Sequence, residues 1–354
     1  MSEAHWFRRR WKLFVNVATI VALLILVYLT RHQLVQTLGN IRHVNGWALL
    51  LIIPVEALNY HAQAKLYQGL FAIVGNRLSY KGLIRTSLEL NFVNHVFPSG
   101  GVTGMSYFSL RMRQGKDLTG GKATLIHVMK LGLIFLSFEL LVIFGLISLS
   151  VMGHISNLTI LLAAVVSTLL IVGTLVFGYI VGSRQRIDEF FTALTRGLNR
   201  VIQLVRPQHP ETINIDRARS IFEDFHSNYH EIKRDRNRLK QPFLYALLAN
   251  ATEVLAIYVV YIAFGHFINI GGVIFAYAVA NFAGLVSVLP GGVGIYEALM
   301  TAVLASTGVP AGVSLPVTVM YRVVNTLVQI PPGYYLYQDA LKRGDQPPGA
   351  PGVG

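Results

Sequence analysis

Long apolar runs recur along the whole chain, separated by short polar segments in which lysine and arginine are concentrated. A run of about 20 apolar residues is long enough to cross a bilayer as a helix. This pattern predicts an all-α polytopic membrane protein with about six full spans. We place these spans near residues 13–30, 47–74, 123–150, 157–182, 242–264 and 313–338.

Two further apolar stretches are interrupted by proline and glycine, at Pro98-Ser99-Gly100-Gly101 and at Pro290-Gly291-Gly292. Proline ends a helix because it lacks an amide hydrogen and its ring clashes with the preceding turn. Within a bilayer such a break survives only where protein buries it or where it lines a wet cavity. The segments beside the breaks, such as 83–97 and 294–307, are short for full spans. We therefore predict two re-entrant helical hairpins.

The flanks of the two breaks correspond. An Asn-Phe pair precedes each break, and a cation follows each proline by 32 residues, Lys130 in the first case and Arg322 in the second. Upstream, Glu56 and Glu253 lie 42 and 37 residues before their prolines, each inside an apolar segment. These matches indicate an internal duplication, with halves at about 13–150 and 157–340.

Charge sets the expected topology. Only 13% of the 354 residues are charged, whereas a soluble domain has about a quarter, and the net charge is +13. The basic residues cluster beside membrane segments, which is typical of the cytoplasmic side. We expect a multi-pass protein of the plasma (inner) membrane with both termini in the cytoplasm. The same assignment makes the first hairpin open to the cytoplasm and the second to the outside, as in an inverted repeat.

We interpret the excess of basic residues as contact with lipid headgroups rather than with nucleic acid, because these residues flank the predicted membrane spans. Segment 183–241 is the sizeable polar part, and its apolar residues recur at helical spacing. We expect it to form amphipathic helices that lie on anionic lipid at the cytoplasmic surface. Residues 1–340 then form a single transmembrane domain, and the Pro- and Gly-rich tail 344–354 is expected to be disordered. The sequence leaves a homo-oligomer open.

The break loops are the sharpest candidates for a binding site. Backbone amides beside glycine at a helix start form an anion site, which suits the phosphate of a lipid headgroup. The plainer alternative is that the breaks only let helices turn and pack. The candidate headgroup-binding residues are Pro98, Ser99, Gly100, Gly101, Gly104, Lys130, Pro290, Gly291, Gly292, Gly294 and Arg322.

Three carboxylates are candidates for ion pairing with these cations or for coupling to an ion: Glu56, Glu253 and Glu297. A cation deep in the membrane costs about 2.5–3.5 kcal/mol on insertion scales and needs a partner. Lys130 and Arg322 lie near span ends, so snorkelling to the interface is the alternative for each. For Glu297, the alternative is a favourable first-turn carboxylate at a helix start.

Enzyme signatures are missing from the sequence. No aspartate falls within a predicted span, and neither His-Glu-x-x-His nor Gly-x-Ser-x-Gly occurs. The chain has no cysteine, which excludes disulfides, thiolate metal sites and cysteine catalysis. We therefore expect no enzymatic activity, no metal site and no cofactor.

Several segments of the chain match a known pattern: 289–298, 308–310 and 321–322, and more loosely 97–104 with Gly115. At these residues the chain resembles the lysylphosphatidylglycerol synthase transmembrane-region family, also described as flippase-like. The resemblance covers roughly residues 10–340. Many members carry an acidic residue shortly after the first break, where Met105 and Ser106 stand here, so that role is not carried over. The resemblance implies the lipid-translocating half of multiple peptide resistance factor without its synthase domain.

Three functions follow as hypotheses. The favoured one is a flippase-like translocator that moves a phospholipid or lipid-linked substrate between leaflets. The second is a membrane-embedded transferase or hydrolase of lipid-linked substrates that uses Glu297 or Glu253 as a base. The third is a non-transporting scaffold that recruits partners or anionic lipid through segment 183–241.

Overall fold

The structure is a computed structural model, and it describes most of the predicted membrane-embedded chain. The described residues are 44–96, 102–113, 120–151, 157–181, 236–286 and 294–342, with isolated positions at 21, 28, 31, 35, 39, 183, 185, 186 and 189. Both proline-glycine breaks, nearly all of the predicted span at 13–30, most of segment 183–241 and the tail 344–354 lie outside them.

The described residues form helices and contain no strand. In chain order the helices are α1 (Gly46–Leu50), α2 (Ile52–Ile73), α3 (Tyr80–Val96), α4 (Val102–Arg113), α5 (Gly120–Val151), α6 (Asn157–Val181), a 3₁₀ turn (Arg236–Leu239), α7 (Lys240–Ala263), α8 (Ile270–Val286), α9 (Ile295–Ser306) and α10 (Ala311–Lys342). The predicted spans from residue 47 onwards agree with these bounds to within a few residues.

Three of the helical segments in the described ranges are long and apolar enough to cross a membrane, at Leu125–Val151, Asn237–Ala263 and Ala311–Lys342. Shorter apolar helical segments occur at 164–176, 270–281 and 295–306. The prediction of an all-α polytopic membrane protein is therefore confirmed. Apolar side chains on the outer faces of α5 and α6 are exposed, among them Phe144 and Leu175, as expected where lipid is the solvent.

The helices around the two breaks repeat in length. α2, α3, α4 and α5 have 22, 17, 12 and 32 residues, and α7, α8, α9 and α10 have 24, 17, 12 and 32. A 17-residue helix is about 25 Å long and a 12-residue helix about 18 Å, both short of the roughly 30 Å hydrocarbon core. These lengths fit an internal duplication. The opposed, re-entrant arrangement of the hairpins stays a prediction.

Helices of one half pack against helices of the other half. α3 packs against α10 and α8 packs against α5, while α2 packs against α7. Glycine permits the close contacts of α3 with α10 and of α8 with α5. A Cβ at Gly333 in α10 would lie 2.7 Å from the Leu88 carbonyl oxygen and 2.7 Å from Phe92 Cβ of α3. A Cβ at Gly271 in α8 would collide with the Gly145 carbonyl oxygen of α5. The backbones therefore approach more closely than a side chain would allow.

Apolar clusters surround a polar centre. One cluster joins α7, α8, α9 and α10 to α2 and α5, and a second joins α2, α3, α4 and α5. A smaller aromatic group connects α3, α4 and α10 through Phe92, Tyr107 and Tyr337. Between these clusters, the facing sides of α2, α3, α7 and α10 carry buried polar residues.

Candidate functional site

A polar chamber of about 340 Å³ lies where α3, α7, α8, α9 and α10 meet. Three of these helices flank the breaks in sequence, since α3 and α8 end a few residues before them and α9 begins shortly after the second. The lining consists of carboxamides, phenols, one imidazole, one threonine hydroxyl, one carboxylate and one guanidinium. The lining residues are Asn91, Asn94, His95, Glu253, Tyr277, Asn281, Tyr296, Tyr321, Arg322, Asn325, Thr326 and Gln329.

Matching residues of the two halves meet in this chamber. Asn91 of α3 and Asn281 of α8 come from the two Asn-Phe pairs that precede the breaks. Asn281 donates to the Tyr277 carbonyl at 3.0 Å, and Asn91 donates to Tyr60 Oη at 2.6 Å. The sequence correspondence therefore has a spatial counterpart, because both asparagines line one cavity.

Arg322 enters the chamber from α10. Its Nη1 donates to Glu297 Oε1 at 2.5 Å, and the guanidinium lies 5.1 Å from the centre of the Tyr296 ring. Glu297 Oε2 accepts from the Gly294 amide at 2.7 Å. Gly294 has φ +87°, a conformation that favours glycine. The sequence posed an ion pair and a first-turn carboxylate as alternatives for Glu297, and the structure shows both at once.

Glu253 lines the chamber from α7. Its Oε2 accepts from the Tyr321 hydroxyl at 3.1 Å, and its Oε1 accepts from Asn59 Nδ2 at 3.3 Å. Asn325 in turn donates to Tyr321 Oη at 3.3 Å, and Gln329 Nε2 donates to Asn325 Oδ1 at 3.0 Å. These bonds form a chain along one face of α10 that ends on the Glu253 carboxylate.

Glu56 lies behind the chamber wall on α2 and is only 2% exposed. Gln329 Nε2 donates to Glu56 Oε2 at 2.8 Å, and Gln329 Oε1 accepts from Asn91 at 2.7 Å. Among the described residues, Glu56 Oε1 has no hydrogen-bond partner. Gln329 therefore separates this carboxylate from the cavity and connects it to both α3 and α10.

Lys130 does not line the chamber. Its Nζ donates to Gln63 Oε1 at 3.0 Å and lies 4.7 Å from the centre of the Tyr67 ring. Gln63 donates to Asn59 Oδ1 at 2.7 Å, and Asn59 is the residue that also donates to Glu253. Lys130 is thus connected to the chamber through two carboxamides, whereas Arg322 is part of its lining.

The glycines of the predicted site have different positions. Gly104 is buried in α4, where a Cβ would collide with the carboxamide of Asn94 in the chamber wall. Gly294 holds the start of α9 through its amide. The predicted amide sites at Pro98, Ser99, Gly100 and Gly101 and at Pro290, Gly291 and Gly292 lie outside the described residues.

Another buried carboxylate, Glu89 of α3, accepts hydrogen bonds on both oxygens. Arg85 Nε donates to Glu89 Oε1 at 2.8 Å, while Arg111 and Tyr107 of α4 donate to Oε2 at 2.9 and 2.7 Å. Arg85 also donates to Asp339 of α10 at 2.7 Å. This cluster joins α3, α4 and α10 away from the chamber, and its charges are balanced within it.

Much of the polar network was not predicted from the sequence. The chain along α10 consists of Tyr321, Asn325 and Gln329, spaced four residues apart on one face. On α2, Glu56 is followed at three, four and seven residues by Asn59, Tyr60 and Gln63. Polar residues at helical spacing inside an apolar helix were the available signal. The described residues contain no group of three or more histidine, aspartate or glutamate side chains that could hold a metal ion.

Comparisons with known proteins match the chain to one family. The family model described as the lysylphosphatidylglycerol synthase TM region matches residues 14–333, which confirms the resemblance found in the sequence. A UPF0104 membrane protein of Methanothermobacter thermautotrophicus is 27% identical over 109 residues, which are 31% of this chain and 32% of that protein.

Other relatives carry the same kind of name. A second match to a UPF0104 membrane protein of Methanothermobacter thermautotrophicus is 32% identical over 83 residues, covering 23% of this chain and 25% of the relative. A UPF0104 membrane protein of Pyrococcus horikoshii is 24% identical over 102 residues, covering 29% and 30%. The chain thus spans about a third or less of the curated relatives it matches.

Proposed function

Because the chain belongs to the lysylphosphatidylglycerol synthase transmembrane-region family, we propose that it moves a lipid with an anionic, phosphate-containing headgroup between membrane leaflets. The polar chamber that contains Arg322 is the observation that carries this proposal. The chamber is a cavity inside a membrane protein that is large enough to hold water. Polar or ionisable groups in such a place are typical of substrate pathways. The substrate is a phospholipid or a lipid-linked phosphate.

The chamber has the chemistry of a headgroup site. Its volume of about 340 Å³ is at the small end of the roughly 300–1,000 Å³ range of ligand sites, so a headgroup fits while acyl chains stay in the bilayer. A guanidinium pairs with phosphate through charge-assisted hydrogen bonds. Asparagine amides and tyrosine hydroxyls next to Arg322 supply further donors for phosphate and alcohol oxygens.

The chamber is lined by helices that lie on either side of the breaks in sequence, α3, α8 and α9. Irregular backbone at membrane depth is tolerated where it lines a cavity, and paired helix breaks mark the central site of many transporters. Here the ends of α3 and α8 and the start of α9 are contiguous with the breaks. In the proposed cycle the headgroup enters between the halves, binds beside Arg322 and leaves on the other side.

Translocation assays in liposomes test the proposal. The protein is reconstituted with fluorescent phosphatidylglycerol or phosphatidylcholine, and the fraction of label that a membrane-impermeant quencher reaches is followed over time. Arg322→Ala should abolish protein-dependent movement of phosphatidylglycerol. Lys342→Ala is the matched control, since it removes a cation from the exposed end of the same helix. Equal rates for wild type and Arg322→Ala would contradict the proposal.

We also propose that movement occurs without covalent change of the lipid, in a plasma-membrane protein with both termini in the cytoplasm. Mass spectrometry of the lipids before and after the liposome assay separates this from the transferase or hydrolase hypothesis. Lipid of unchanged mass in the opposite leaflet supports translocation. A lipid of new mass whose amount increases with protein concentration and with time favours the transferase or hydrolase hypothesis.

A further inference from the structure

Glu56 is a buried carboxylate with one open oxygen. It is 2% exposed, Gln329 donates to Oε2, and no described residue donates to Oε1. Buried polar atoms in native proteins almost always have a hydrogen-bond partner, and a buried charge without one is costly. The open oxygen therefore needs an explanation.

The comparison with Glu89 shows that this is not a general property of buried carboxylates here. Glu89 is 0% exposed, yet Arg85 donates to one of its oxygens and Arg111 and Tyr107 donate to the other. Within the described ranges, Glu56 has a single hydrogen-bond donor, the neutral side chain of Gln329. The fold thus balances one buried carboxylate completely and leaves the other open.

No basic residue in the described part of the chain is in contact with Glu56. The titratable groups that interact electrostatically with Glu56 are Glu253 of α7, Tyr277 of α8, Tyr321 of α10 and Tyr60 of its own helix. Among the described residues, no lysine or arginine nitrogen lies within 4.0 Å of Glu56 or Glu253. Two carboxylates therefore share one polar network without a cation in contact.

We propose that Glu56 and Glu253 together bind one exchangeable proton, with Glu56 Oε1 as its site, and that this proton is linked to headgroup binding beside Arg322. The linkage rests on the proposed function, whereas the proton site does not. On loading, a proton passes from water to the carboxylate oxygen, so the pair changes from two negative charges to one. On unloading, the same proton returns to water.

The number of open oxygens favours a proton over a metal ion. Both Glu253 oxygens and Glu56 Oε2 already accept hydrogen bonds, which leaves Glu56 Oε1. One oxygen suffices for a proton, whereas a hard metal ion requires about six or more oxygen ligands. In addition, no metal-binding cluster was found in the described part of the chain.

A physical connection links the proton site to the chamber. Gln329 donates both to Glu56 and to Asn325, Asn325 donates to Tyr321, and Tyr321 donates to Glu253. Gln329, Tyr321 and Glu253 also line the cavity that contains Arg322. Removing one negative charge from this network makes the cavity more favourable for an anion. Protonation should therefore tighten binding of an anionic headgroup.

Infrared difference spectroscopy tests the proton site directly. The full chain in nanodiscs is measured across a pH series, and the carboxylic acid stretching band is followed. We expect a band that disappears as the pH rises, that Glu56→Gln removes and that Glu139→Gln retains. Glu139 is a matched control because it is an intramembrane glutamate of α5 outside the polar network. Glu253→Gln, which should shift the transition, covers the case in which Glu56→Gln does not fold.

A wild-type spectrum without a pH-dependent band that depends on Glu56 or Glu253 would overturn the proton site. A spectrum that responds to Na⁺ at constant pH, with no response to pH, would do the same and assign the open oxygen to a metal ion.

Headgroup binding tests the linkage. The affinity of dihexanoyl phosphatidylglycerol for the nanodisc-embedded protein should fall as the pH rises, by roughly 5–150-fold, the usual range of coupling between sites. Glu56→Gln should bind tightly at every pH because it imitates the protonated state. Inorganic phosphate, measured in parallel, distinguishes a headgroup site from a free-phosphate site. An affinity that does not change with pH in the wild type overturns the linkage.

The two proposals fail in different ways. If the infrared band depends on Glu56 but liposomes show no translocation, the proton site stands and the proposed function falls. If translocation depends on Arg322 but neither the translocation rate nor the infrared spectrum changes with pH, the proposed function stands and the proton site falls.

Discussion

Arg322 of α10 and Glu297 in the first turn of α9 form an ion pair in which Nη1 and Oε1 are 2.5 Å apart. The second Glu297 oxygen accepts from the Gly294 amide, immediately after the second break. One carboxylate thus holds both the cation of the chamber and the start of the helix that follows the break. In the proposed function, a headgroup phosphate would compete with this carboxylate for the Arg322 guanidinium.

The ion pair predicts a defined pattern in a double-mutant cycle. Glu297→Gln leaves the partly buried Arg322 without its counter-ion, and breaking a buried pair typically costs about 3–5 kcal/mol. Glu297→Gln and Arg322→Gln should each lower the unfolding temperature, and the double variant should lose less than the sum of the two. Thermal unfolding in nanodiscs measures this. Additive losses would show that the two residues do not stabilise each other.

Helix packing gives a second prediction. Gly333→Ala places a Cβ against the Leu88 carbonyl and Phe92, which should destabilise the protein by about 1–3 kcal/mol. Gly312→Ala is the matched control on the same helix, because nothing lies within 4 Å of its added Cβ. That change should be neutral or stabilising, since alanine is the better helix former. Equal unfolding temperatures for the two variants would contradict the close approach of α3 and α10.

The Glu89 cluster gives a prediction that separates stability from binding. Glu89→Gln leaves Arg85 and Arg111 without the charge they share and should lower the unfolding temperature markedly. Per folded molecule, the affinity for dihexanoyl phosphatidylglycerol should stay unchanged, because Glu89 does not line the chamber. A selective loss of binding without loss of stability would place Glu89 in the ligand site instead.

The inverted arrangement can be tested by labelling, because the chain contains no cysteine. Ser79→Cys lies between α2 and α3, and His266→Cys lies between α7 and α8, and both positions are exposed. We expect an impermeant thiol reagent to label Ser79→Cys from the cytoplasmic side and His266→Cys from the outside. Labelling of both from the same side would exclude the inverted repeat.

The sequence predicted the helices well because their apolar runs are long and end at charges, glycine or proline. Arg322 and Glu253 of the chamber lining were also named as candidates from the sequence, since a charge in an apolar helix stands out. So were Glu297 and Glu56, which contact the lining residues Arg322 and Gln329. Tyr277 and Tyr296 were not, because a tyrosine in a membrane helix is not distinctive until its neighbours are known. Their place in the chamber depends on tertiary packing.

Lys130 and Arg322 occupy corresponding sequence positions but have different surroundings. It has the same spacing from its proline as Arg322, yet it contacts Gln63 and the Tyr67 ring rather than the chamber. Equal spacing places two residues at equivalent points along their helices but does not give them equivalent neighbours. The residues that face Lys130 come from α2, and those that face Arg322 come from α9.

The packing of α3 on α10 and of α8 on α5 has a mechanical consequence. In each half, the helix that precedes the break is packed, at a glycine, against the last long helix of the opposite half. A displacement of either long helix is therefore transmitted to a helix that belongs, by sequence, to the other half. The two halves are in this sense mechanically interlocked.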